Sequence, residues 1–245
     1  MVTSGTESRN NKTEEKKMNI LLGVVCALGA FTALVLAEKF FKKEGVMAWM
    51  VLATVLANIF LQKSIMIGPI AATLGNILFA SNYLATDILS EKYGVKESKK
   101  AIKLSFFALI FFIASTQLAL LFVPSAEDFA QTAMQTLFTT GARIAAASLI
   151  CYYASNMLDV WLFAKIKSKT GEKKLWLRNN VATIISNCVE NFALYFLAFG
   201  GIMDAGLLLQ MGLSASIIEI ALALCDTPFV YWSKKWGTKR VKATN

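Results

Sequence analysis

Histidine is absent from the 245 residues. That absence excludes imidazole acid–base catalysis, a Ser-His-Asp triad and most zinc sites. The four cysteines, Cys26, Cys151, Cys188 and Cys225, stand singly inside apolar runs, and no CxxC pair exists. They read as small buried hydrophobes rather than as a redox or metal motif. No Walker A motif, Gly-rich nucleotide loop or metal-ligand cluster occurs, so no cofactor is expected and an enzyme is the least favoured class. Charge is scarce as well: 17% of residues are Asp, Glu, Lys or Arg, against about 25% in soluble domains.

Apolar sequence is abundant. Hydrophobic residues make up 56% of the chain and gather in long blocks, the pattern of an integral membrane protein. The reading is an all-α, polytopic transmembrane helical bundle. Seven blocks stand out, at roughly 20–37, 46–62, 70–90, 102–123, 138–164, 179–199 and 206–232. The second is short and ends at Gln62-Lys63, so six spans is the alternative. Residues 63–70, with Gly68-Pro69, read as a turn between spans. Residues 124–137 are too polar to cross and are expected at the surface. The chain thus divides into a polar N-terminal arm (1–19), the bundle (20–232) and a basic tail (233–245).

The formal net charge of +9 would suggest nucleic acid in a soluble protein. Here the basic residues sit between apolar blocks, so topology explains them better and no nucleic-acid partner is expected. Segment 91–103 holds five Lys, segment 165–178 six Lys or Arg, and the tail 233–245 five, whereas 124–137 and 200–205 hold none. The positive-inside rule then places those three segments, including the C-terminus, in the cytoplasm of a multi-pass protein of the cell (inner or plasma) membrane. Seven spans would put the N-terminus outside.

Charged groups within the blocks need an account, because each costs ~2.5–3.5 kcal/mol at bilayer depth on insertion scales. They are Asp87, Arg143, Asp159, Glu190, Glu219 and Asp226. Two blocks repeat one local pattern: Ser155-Asn156-x-x-Asp159 and Ser186-Asn187-x-x-Glu190. At these spacings hydroxyl, amide and carboxylate share a helix face. A looser version pairs Tyr83 with Asp87 and Asn82 with Thr86. Such faces turn inward, either as glue between helices or around a polar ligand. Asp87 and Asp159 could instead pair with basic loop residues, and Glu190 with Arg143. A mid-depth carboxylate is by default a functional candidate, which favours a ligand at Glu190. Amides, hydroxyls, carboxylates and aromatics suit a neutral, planar ligand. A guanine-like edge offers two adjacent N–H donors to one carboxylate, with rings such as Phe79, Tyr83, Tyr152, Tyr153, Phe192 and Tyr195 available to stack.

Three stretches carry a family resemblance: "NYLATDILSEKYG" (82–94), "RIAAASLICYYASNMLDVWLFAKIKSKTGEKKLWLRN" (143–179) and "TIISNCVENFALYFLAF" (183–199). Together they resemble the queuosine precursor transporter family, also called the vitamin uptake transporter family, over roughly residues 55–235. The resemblance implies import of 7-deazaguanine bases such as 7-cyano-7-deazaguanine, its aminomethyl analogue or queuine. It also implies an intramembrane charged set at Asp87, Arg143, Asp159 and Glu190. The family usually has Ser-Gln where this chain has Ser155-Asn156 and Ser186-Asn187, and Asp-Thr where it has Glu190-Asn191. The carboxylate is kept but stands one methylene further out.

The expected function is therefore a transporter working by alternating access, with no catalytic or metal residues. Glu190, Asn187 and Asn191 would hold the base from one helix, Asp159 and Asn156 from the next. Arg143 would stand near the external mouth, and Asp87 and Tyr83 would complete the set. The alternatives are a substrate-binding subunit of an energy-coupling-factor ABC importer, or a non-transporting scaffold. Besides the small-molecule substrate and membrane lipid, a homodimer and separate energy-coupling subunits stay open as partners.

Overall fold

The computed structural model describes residues 3–67, 70–139, 142–171 and 173–235. The Gly68-Pro69 turn and residues 236–245 of the basic tail lie outside the described residues. Among the described residues seven helices are formed: α1 (Thr3–Phe60), α2 (Leu74–Lys92), α3 (Val95–Leu120), α4 (Gln131–Phe138), α5 (Ala142–Thr170), α6 (Leu175–Phe199) and α7 (Ala205–Lys235). Between α1 and α2 lies a short antiparallel pair, β1 (Ser64–Ile67) with β2 (Ile70–Thr73).

Among the described residues, four helical stretches can cross a membrane by length and composition: Lys17–Phe60, Val95–Leu120, Leu175–Phe199 and Ala205–Lys235. Their outward faces carry Leu, Ile, Val and Phe, such as Phe107, Phe111, Leu118, Leu213 and Leu224, as contact with acyl chains requires. Helices α2 and α5 fall short of that apolar content because they carry the polar groups of the interior. Helix α2 is enclosed: every residue from Ala80 to Ser90 is buried, including Ser81, Asn82, Thr86 and Asp87. It packs against α1, α3, α5 and α7.

The two N-terminal apolar blocks belong to one hydrogen-bonded run that turns back sharply at Lys42 (φ 56°, ψ −139°). A non-glycine residue in that region costs about 1–3 kcal/mol. The two arms meet tightly beyond it: a Cβ on Gly45 would strike the Ala37 carbonyl, eight residues back, where a straight helix would place it about 12 Å away. The polar arm expected at 1–19 is helical from Thr3 and continuous with the first block.

Three expectations about elements are corrected. Residues 70–73 form a strand rather than the first turn of a span. β-branched Ile65, Ile67, Ile70 and Thr73 favour extended backbone, and strand pairing satisfies their amides. Segment 91–103 is a two-residue break at Tyr93-Gly94 between helices rather than a loop, since Gly94 (φ 96°) allows α3 to begin at once. Likewise α5 continues through Thr170 into segment 165–178. Among the cysteines only Cys151 is buried, and Cys225 is exposed on the bundle's outer face.

Gly75 joins α2 to the end of α1. A Cβ there would lie 2.5 Å from the Ala57 carbonyl oxygen and 2.8 Å from the Leu61 nitrogen, both backbone atoms that cannot rotate away. Gly75→Ala is therefore expected to cost about 1–3 kcal/mol by overpacking. The check is Tm of the purified protein, and an unchanged Tm would contradict this packing.

Candidate functional site

The interior polar groups form three layers along the bundle. On α2 they are Tyr83, Asp87 and Glu91, each one helical turn (about 6 Å) below the last. Helix α5 supplies Ser155, Asp159 and Lys167 at the same levels, and α7 supplies Glu219, Asp226 and Lys234. Helix α6, running the other way, supplies Glu190 with Asn191, then Thr183 and Asn179, then Arg178.

The first layer borders a cavity of about 90 Å³ among α1, β2, α2, α3, α5, α6 and α7. Its polar lining includes Asn58, Asn76, Ser148, Glu190, Asn191 and Glu219, and its rings are Phe79, Tyr152 and Tyr195. The Glu190 carboxylate accepts hydrogen bonds from the Tyr83 hydroxyl and, at 2.7 Å, from the Ser155 hydroxyl. Both bonds reach Oε2, so Oε1 keeps its acceptor capacity. The Asn191 amide donates to Glu219 at 2.7 Å. Tyr152 is fixed by Thr54 (3.2 Å), which also accepts from Asn82 (3.0 Å). Phe79 meets both Tyr83 and Tyr152 edge-on with ring centroids 5.7 Å apart, a favourable aromatic geometry. These contacts set carboxylates, amides and ring faces around one space before any ligand enters.

The second layer is acidic. Asp159 accepts from Thr86 (2.9 Å) and Thr183 (3.2 Å), and Asp226 from Asn179 (2.9 Å). Among the described residues no donor reaches either oxygen of Asp87, which is fully buried. The third layer is a charge lock. Glu91 binds Lys167 of α5 (2.8 Å), Arg178 of α6 (2.6 Å) and Lys234 of α7 (2.7 Å) at once. Arg178 is fully buried, donates to the Gly171 carbonyl and lies over the Phe163 ring. Beside it Lys92 pairs with Glu38, which also accepts from Ser233.

Of the residues singled out in the sequence, Glu190 and Asn191 line the cavity, and Tyr83 reaches it through Glu190. Asn156, the residue after Ser155, and Asn187, one turn from Asn191, are buried, each with its amide oxygen lacking a donor among the described residues. Asp87 and Asp159 lie one layer deeper, and among the described residues neither pairs with a basic loop residue. Arg143 stands apart from the carboxylates. It is exposed and donates to the Leu197 and Gly200 carbonyls at 2.7 Å. Its guanidinium thereby caps the C-terminus of α6, where free carbonyls and the helix dipole attract a cation. The glue reading also holds in part, since Trp49 donates to Ser81 and Asn82 to Thr54 between α1 and α2.

The sequence reading passed over the cavity residues Asn58, Asn76 and Ser148, and it left Glu219 out of the site. Glu219 carried a signal, being a carboxylate within an apolar block. The Glu91 hub carried none, because its partners lie 76, 87 and 143 residues away.

Comparison with known proteins places the chain among membrane transporters. Residues 73–233 match the family described as "Putative vitamin uptake transporter". A Bacillus subtilis (strain 168) protein named "Probable queuosine precursor transporter" is 36% identical over 206 residues, covering 84% of this chain and 90% of that protein. An Escherichia coli (strain K12) protein named "Queuosine precursor transporter" is 27% identical over 152 residues, covering 61% of this chain and 65% of that protein. No solved structure matches. These names are those of transporters, not enzymes. A helical bundle with lipid-facing apolar surfaces around a polar, ring-lined cavity is the architecture of a small-molecule carrier, and this membrane protein belongs to the vitamin uptake transporter family.

Proposed function

We propose that the protein imports a 7-deazaguanine precursor of queuosine across the plasma membrane by alternating access. The observation that carries the reading is the Glu190 carboxylate, presented to the cavity by Tyr83 and Ser155. One carboxylate accepts the two adjacent N–H donors of a guanine-like edge. Asn191 and Glu219 stand next to it, and Phe79, Tyr152 and Tyr195 offer ring faces for stacking. The names of the two relatives support the same ligand class.

Size supports a moving carrier rather than a fixed receptor. The cavity measures about 90 Å³, whereas a cavity that admits benzene measures about 150 Å³. A bicyclic base enters only when the helices around it part.

Sidedness follows from the layers. Both arms of α1 cross, giving seven spans with α2, α3, α5, α6 and α7. The end rich in Lys and Arg is cytoplasmic. The cavity meets α2 toward its opposite end, at Gly75, Asn76 and Phe79, about 18–24 Å from Glu91 at a rise of 1.5 Å per residue. This is then an occluded state whose cavity lies toward the outside, with the Glu91 lock closing the cytoplasmic side. Inward opening requires that lock to break, which frees α2 from α5, α6 and α7 together.

The test uses a host that can neither make nor import queuosine precursors. Expression of this chain alone, with nanomolar 7-cyano-7-deazaguanine, its aminomethyl analogue or queuine supplied separately, should restore queuosine in tRNA with at least one base. No restoration by any base, with the protein confirmed in the membrane, would count against a stand-alone importer and favour dependence on energy-coupling subunits.

A further inference from the structure

We propose that the middle layer, Asp87, Asp159 and Asp226, is a monovalent-cation site separate from the base cavity, and that its occupancy couples import to an ion gradient. This inference rests on the transporter reading.

Three carboxylates from α2, α5 and α7 are buried together with exposures of 0–1%. Their hydrogen-bond donors are neutral: Thr86, Thr183 and Asn179. Among the described residues none reaches Asp87 at all, and Asp226 Oδ2 also lacks a donor. Asp87 lies in the field of Asp159, Asp226 and Glu91. A positive charge that also acts on it, Arg178, is already committed to Glu91 and the Gly171 carbonyl. A buried carboxylate with neither a cation nor a donor is strongly unfavourable.

A second observation points the same way. Asn179 is fully buried with its amide nitrogen on Asp226, and its amide oxygen finds no donor among the described residues. Its acceptor therefore adds to the surplus of acceptors around the carboxylates. Carboxylate, hydroxyl and amide oxygens are hard ligands, suited to a proton or an alkali ion and not to a soft metal.

The position gives the coupling. The cluster lies one turn below the Tyr83–Glu190 contact and one turn above the Glu91 lock, on helices that serve both. With a cation bound, α5 and α7 both stay packed on α2 at this level. After its release, like charges drive them apart just above the lock.

The test is uptake by purified protein in proteoliposomes under an inward proton gradient, an inward sodium gradient or neither. Base exchange at equilibrium and base binding are measured in parallel. The parent should accumulate base above equilibrium with one of the two gradients, about tenfold per tenfold ion gradient for one ion per base. That gradient identifies the cation. Asp87→Asn and Asp226→Asn should still exchange base while their accumulation falls to equilibrium. Accumulation at the parent level in both variants would overturn the proposal. So would a parent that exchanges base but responds to neither gradient, and the transport reading would survive that result. If no base binds or exchanges, the transport reading itself fails. The cation site is then decided by Tm of the parent against sodium and pH. A dependence present in the parent and lost in whichever Asp variant folds supports the site, and no dependence in the parent overturns it.

Discussion

Glu190→Gln is expected to lower affinity for the transported base about a hundredfold and to remove import at nanomolar supply. The Oε1 acceptor of the carboxylate is open to the N–H groups of the base edge, whereas a glutamine whose oxygen stays with Tyr83 and Ser155 turns a clashing NH₂ donor to them. Hydrogen bonds to a charged group contribute roughly 1.5–3 kcal/mol each, and 1.4 kcal/mol is a factor of ten. The fold should survive, because the Tyr83 and Ser155 hydroxyls can still donate to the glutamine oxygen. Glu190→Asp keeps a carboxylate, set one methylene back, and should bind within about tenfold of the parent. Titration calorimetry on the three proteins separates these outcomes, and parental affinity in Glu190→Gln would exclude Glu190 from the base site.

The second large effect is on stability. Glu91→Ala strips the partner from Arg178, whose side chain is 0% exposed, and from Lys167 and Lys234 as well. Leaving a buried charge without its partner costs about 3–5 kcal/mol, so Tm should fall markedly and the cytoplasmic end should open. Glu91→Gln keeps the packing and should lose less. Burial alone raises the Glu91 carboxyl, but hydrogen bonds from Lys167, Lys234 and Arg178 outweigh it and hold the group below its ordinary value of 4.5. A carboxyl lowered in the folded state stabilises fully above its unfolded pKa and loses that contribution as pH falls through its folded pKa. The Tm gap between parent and Glu91→Gln should thus stay constant from neutral pH down to about 5 and close in more acid solution. A gap that did not change on acidification would show that the lock is not ionic.

Much of the bundle can be read from the sequence because bilayer physics writes it locally. A span needs a long apolar block, and an inward face needs Ser, Asn and a carboxylate at helical spacing, as around Asp159 and Glu190. What could not be read depends on distant partners. The lysines of segments 91–103 and 165–178 signal topology, but nothing local says that Lys167 and Arg178 also converge on Glu91. Arg143 looked like a mate for a carboxylate because only charge was visible. Its actual partners are backbone carbonyls at the end of α6, and a sequence does not display those. The strand at 70–73 was absorbed into an apolar block because short apolar runs suit helix and strand alike.

Glu190 and its neighbours are proposed to form the base site of a carrier that works alone. The most direct measurement is equilibrium binding of 7-cyano-7-deazaguanine, its aminomethyl analogue and queuine to the purified chain in lipid nanodiscs, without added subunits. The account predicts saturable one-site binding of at least one base, at micromolar affinity or tighter (about −8 kcal/mol), lost in Glu190→Gln and kept in Glu190→Asp. A folded parent that binds none of the three, or a Glu190→Gln protein that binds as the parent does, would contradict it.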